Sequence, residues 1–137
     1  MKKLSIIFFL LIFTRILFAP GLAIINIPSA EPIRFDPILM AFEKIESSNR
    51  EKIVNSIGAT GILQIMPIMI DEVNRICRKL KNPMRFTIAD RLDSTKSVQI
   101  WYIVQNYYNA GYDLKRACKV WNSKAGTDYY NKIARLV

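Results

Sequence analysis

The sequence predicts an all-α domain, and three observations predict it. Apolar residues recur at spacings of three and four along most of the chain after residue 35, the period of one helix face. Cap and breaker residues (Asp36-Pro37, Asn82-Pro83, Ser94, Gly111, Asp113, Gly126) punctuate that pattern at helical intervals. No stretch sustains the alternation of a half-buried strand, and there is no internal repeat or low-complexity segment.

In chain order, Pro28 and Pro32 predict an extended link over Ser29 to Phe35. Asp36-Pro37 then reads as a helix start, with aspartate as cap and proline at the first helical position. Ile38, Leu39, Phe42 and Ile45 form the apolar stripe of this first helix, which runs to about Ser48. Asn49 to Thr60 is a connection, and Gly61 to Met66 a short helical turn closed by Pro67. A second helix spans about Ile68 to Leu80, with Val73, Ile76, Cys77 and Leu80 on its apolar face, and Met84 to Asp93 is irregular. Ser94 caps a third helix that buries Val98, Trp101, Val104 and Tyr108, with Ile100, Ile103 and Tyr107 widening the arc, and Gly111 ends it. Asp113 caps a fourth helix through Ala117, Val120 and Trp121, and a last one covers about Thr127 to Leu136.

At 137 residues the chain suits one domain, which we place at 31–137. Residues 1–30 read as a leader: Lys2 and Lys3 precede the uncharged apolar run Leu4 to Phe13, and Leu17 to Ala23 continue it after Arg15. The domain is therefore expected to be exported to the periplasm or cell envelope. The small residues ending Gly21-Leu22-Ala23 and Pro28-Ser29-Ala30 are candidate cleavage points; an uncleaved leader would instead attach the domain to a membrane through residues 4–23. Outside the cytoplasm Cys77 and Cys118 are a candidate disulfide pair, and the alternative reading is two buried small apolar residues. With two cysteines and no histidine, a zinc site is not expected. The formal charge is +9, of which Lys2, Lys3 and Arg15 in the leader account for three. The basic balance favours an anionic polymer as partner, although the cations, Arg91 among them, are dispersed as on a solvated surface.

One acid stands out. Glu46 follows the last apolar position of the first helix, where partial desolvation raises a carboxyl pKa toward that of a usable general acid. Gly58 and Gly61 follow, allowing backbone to pass close to a ligand, and Gln64 adds an amide that can donate and accept. Glu46-Ser47, then Gly58-Ala59-Thr60-Gly61 twelve residues after the glutamate, then Ile62-Leu63-Gln64-Ile65-Met66-Pro67, resemble the core of the Slt-type lytic transglycosylases, lysozyme-like enzymes that cleave the glycan strands of bacterial peptidoglycan. Trp121-Asn122, Gly126-Thr127, Tyr130 and Ile133 extend the resemblance to about residues 36–135.

The resemblance implies a lysozyme-like helical fold, glycan strands as partner rather than nucleic acid, and no cofactor or metal. It implies Glu46 as sole catalytic acid and base, with Asn55, Gln64, Met66, Asn122 and Tyr130 binding substrate. Trp121 is read as core rather than as a sugar platform. The chain departs from the family pattern at Asn49, where an aromatic is common, at Asn55, where a serine is common, and in the loop Ser123-Lys124-Ala125, which lacks a second small residue. Most glycosidases use two carboxylates. Here only Glu46 is placed for chemistry, which fits the family's reaction, in which the substrate supplies the rest and a 1,6-anhydromuramic end results. The competing readings are a non-catalytic glycan-binding module on the same fold and a basic membrane-anchored interaction protein.

Overall fold

The computed structural model describes residues 36–137; the leader, its cleavage points and the link up to Phe35 lie outside the described residues. The described residues form five α-helices, α1 (Pro37–Ser47), α2 (Pro67–Lys79), α3 (Ser94–Tyr108), α4 (Leu114–Trp121) and α5 (Thr127–Ala134), with a short 3-10 helix over Ile88–Leu92. Strand pairing among the described residues is limited to the isolated bridges Val54 with Thr60 and Thr60 with Ile65. The all-α class holds. None of the described helices is long and apolar enough to cross a membrane.

Capping chemistry sets the boundaries. The Asp36 carboxylate accepts from the backbone N–H groups of Ile38 and Leu39, and Pro37 occupies the first helical position, where its missing N–H costs nothing. Ser48 and Asn49 turn the chain out of α1 with φ of 55° and 62°. Pro67 begins α2 rather than closing a preceding helix, and Gly61–Gln64 is a turn, because Gly61 and Gln64 both sit at positive φ, which no helix can continue. The cap of α3 is Asp93, whose side chain accepts from Lys96 N, and Ser94 is already helical. Within the stretch expected to be irregular, Thr87 and Asp90 form a reciprocal capping box that starts the 3-10 helix. Asn74 of α2 exchanges two hydrogen bonds with the Phe86 backbone, tying this segment to the helix bundle.

The core centres on α3. Ile100 to Gln105 are buried without interruption, so the middle of this helix is enclosed all round, with α2, α4 and the 3-10 segment among the elements packed on it. Tyr108, expected inside, is exposed at its last turn. Trp101 lies edge-on to Phe42 of α1 at 5.9 Å, and Phe42 lies edge-on to Tyr129 of α5 at 6.2 Å. This row of rings couples the central helix to α1 and α5, which pack against each other. The candidate disulfide is absent: Cys77 and Cys118 are free thiols buried in the core. They occupy separate surroundings, Cys77 near Arg78 and Arg85 and Cys118 near Asp113. Burial pushes both thiols above their ordinary range.

Candidate active site

Glu46 is the penultimate residue of α1 and is partly buried. It opens onto a cleft of about 550 Å³ whose walls come from the Asn55–Met69 segment and the α4–α5 loop. Asn55, Gln64, Met66, Trp121 and Asn122 line it with Glu46, and among the described lining residues Glu46 is the only carboxylate. Residues drawn from widely separated parts of the chain thus share one concavity.

Burial raises the Glu46 carboxyl above its ordinary value of 4.5, and a hydrogen bond donated by the Tyr129 hydroxyl to Oε1 opposes the rise. Its place at the negative end of the α1 dipole acts in the same direction as burial. The Tyr129 phenol is itself pushed far up, by burial first and then by the adjacent Glu46 charge, so it stays a neutral donor. Glu43, one turn earlier, is also raised by burial but is not part of the cleft wall.

The amides are held by their own loops. Asn55 Oδ1 accepts from Ile57 N at 3.0 Å and Ala59 N at 2.9 Å, which closes the turn and leaves the amide NH₂ for a ligand. Gln64, at φ 49°, donates its NH₂ to Gly61 O at 3.0 Å and Ile53 O at 3.4 Å, so Oε1 is the atom it can offer. Asn122 caps α4 and accepts from Lys124 N at 3.1 Å. Met66 precedes Pro67 at the start of α2, with its side chain in the wall. Trp121 packs against the core, donates its indole N–H to Leu63 O at 3.2 Å and lines the cleft as well.

Tyr130 is elsewhere. It lines a second cavity, with Lys115, Cys118, Lys119 and Asn131, and the tyrosine of α5 that reaches Glu46 is Tyr129. The physical reason is helical rotation: adjacent residues point about 100° apart, so a one-residue difference changes the face.

Arg91, expected on the solvated surface, is buried at 8% exposure. Its guanidinium donates to Gly58 O at 2.8 Å and Ile65 O at 3.0 Å, bridging the two ends of the turn that carries Gln64, and to Ile88 O at 2.9 Å. On the same side, a Cβ on Gly61 would lie 1.8 Å from Arg91 O. The cleft wall therefore rests on the 3-10 segment through a fork of charge-assisted hydrogen bonds and a glycine contact. Neither family models, nor curated proteins, nor solved structures match this chain.

Proposed function

We propose that the protein is a peptidoglycan lytic transglycosylase on a lysozyme-like fold, acting on the exported side of a bacterial envelope. The observation that carries this reading is the raised carboxyl of Glu46, hydrogen-bonded to Tyr129 and the one carboxylate among the described residues of a cleft lined by amides. Amides and apolar side chains suit N-acetylated sugars, which offer N–H and C=O groups and flat apolar faces but no charge on the acetamide. The motif resemblance of residues 46–67 supports the same substrate class.

In this mechanism protonated Glu46 delivers its proton to the glycosidic oxygen between the muramic sugar and the following glucosamine. The C1–O bond breaks, and the acetamido oxygen of the muramic sugar stabilises the cation at C1. Ionised Glu46 then takes the proton of that sugar's C6 hydroxyl as its oxygen bonds to C1. The ring closes to a 1,6-anhydro end, Glu46 regains its proton, and no water is consumed. One carboxyl serves both steps because the second nucleophile belongs to the substrate. Tyr129 holds the carboxyl in one orientation and supports the ionised form between the steps.

Clearing of suspended peptidoglycan tests the reading. Wild-type protein is expected to solubilise it, and Glu46→Gln to do so about 100- to 10,000-fold more slowly. Equal clearing by both would remove Glu46 from the mechanism, and strand binding without clearing by the wild type would favour a binding module.

A further inference from the structure

Two charged side chains line the cleft, Glu46 and Lys124. Three other lysines on the fold have hydrogen-bond partners of their own: Lys79 donates to the Tyr107 hydroxyl at 2.7 Å, Lys96 to Asp90 at 2.5 Å and Lys119 to Ala125 O at 2.6 Å. Lys124 is in neither of the two ion pairs found among the described residues. Its backbone is fixed, since its N–H donates to Asn122 Oδ1 at 3.1 Å and Ala125 N donates to Asn122 O at 2.8 Å, closing the turn. The loop thus presents a cation on a held backbone at the edge of the cleft. The rest of the wall is uncharged, including Ile57 and Ile68, each 71% exposed.

We infer that Lys124 is a specificity-determining residue, selecting glycan strands that carry a free carboxylate beside the bond to be cut. The inference rests on the transglycosylase reading for the identity of the strand. When Glu46 carries the proton it will donate, the described cleft wall has a net charge of +1 from Lys124 alone, so an anionic substituent is attracted to the form of the site that starts the reaction. When Glu46 is ionised, Lys124 offsets its repulsion of the same substituent. Peptidoglycan offers two carboxylate sources: the lactyl group of a muramic sugar that has lost its peptide, and the acidic residues of an attached peptide. The shared chemistry is a carboxylate within reach of a flexible ammonium, which Lys supplies as a point charge without demanding bidentate geometry.

The test compares full-chain wild type with Lys124→Met and Lys124→Glu on three substrates: intact strands, strands stripped of peptide, and stripped strands whose carboxylates are capped as methylamides. Wild type is expected to prefer carboxylate-bearing strands over capped ones. Lys124→Met should abolish that preference through a rise in KM of about two- to five-fold, the range for an exposed charge pair, and Lys124→Glu should reverse it. An effect confined to intact strands assigns the carboxylate to the peptide, and one confined to stripped strands assigns it to the lactyl group; both support the inference. Identical preferences in all three proteins would overturn it. Binding of the three strands, followed by fluorescence anisotropy, reads the preference even without cleavage. A binding preference that depends on Lys124 but comes with no cleavage would keep this inference and remove the enzymatic reading.

Discussion

The Tyr129 hydroxyl donates a hydrogen bond to Glu46 Oε1 across 83 residues of chain, joining the end of α1 to α5. Phe42, one turn before Glu46, packs edge-on against the Tyr129 ring, so the phenol is held by the core on one side and by the carboxyl on the other. Burial raises the pKa of the proposed catalytic group and this hydrogen bond moderates the rise, so the acidity can be perturbed without touching the group itself.

Tyr129→Phe removes the donor and keeps the ring. The hydrogen bond holds the Glu46 pKa down against burial, so its loss should raise that pKa further. The alkaline limb of the pH–rate profile, where Glu46 loses its proton, is expected to move to higher pH. A move to lower pH, or none, would mean that the phenol does not act on Glu46. Tyr130→Phe should leave the limb in place, because Tyr130 lines the other cavity.

Glu46→Gln should change the pH dependence of stability. The native state holds the Glu46 proton more tightly than the unfolded chain, so the contribution of this group is fully present below 4.5 and is lost as pH rises through the higher native pKa. Glutamine escapes that loss and can still accept from Tyr129. The Tm of Glu46→Gln is expected to lie near wild type at about pH 4 and above it at about pH 8. A wild-type advantage that grows with pH would show the opposite sign and place Glu46 in a stabilising ion pair.

Two glycines of the same loop should differ. At Gly61, φ is +81° and a Cβ would meet Arg91 O at 1.8 Å; at Gly58, φ is +84° but the space is open. Gly61→Ala combines backbone strain with overpacking and is expected to cost about 3 kcal/mol or more, whereas Gly58→Ala carries the left-handed penalty alone, about 1–2 kcal/mol. Urea midpoints measure both, and equal losses would mean that the Gly61–Arg91 contact relaxes freely.

Arg91→Met should destabilise by about 2–3 kcal/mol, because carbonyls of Gly58, Ile65 and Ile88 each lose a charge-assisted donor in a buried setting. Arg91→Lys should recover only part of this, since an ammonium cannot reproduce the planar fork. A neutral effect of Arg91→Met on the urea midpoint would make the brace incidental.

What was legible in the sequence was local. Asp36-Pro37 and Asp113 announce their helices through caps that act within four residues, and the stripe from Ile38 to Ile45 places Glu46 at a helix end. The 3-10 helix carried a readable signal as well, the three-residue spacing of Thr87 and Asp90, which is that of a capping box. Arg91 did not, because the two partners that tie it to the cleft wall lie 33 and 26 residues away and nothing around it in sequence marks it as buried. Tyr129 and Tyr130 are indistinguishable by residue type, and only the rotation of α5 against α1 decides which one meets Glu46. The two cysteines illustrate the same limit: their sequence spacing allows either a disulfide or two buried small apolar residues, and only the folded chain shows both as free thiols in the core.

Mass spectrometry of the fragments released from purified peptidoglycan addresses the central claim most directly. With one carboxyl and a nucleophile from the substrate, the wild type should release fragments with 1,6-anhydro ends, each lighter by one water than the product of hydrolysis, and Glu46→Gln should release almost none. Reducing ends from the wild type would contradict the account, with water entering where the C6 hydroxyl was expected, and anhydro products from Glu46→Gln at the wild-type rate would contradict the role of Glu46 itself.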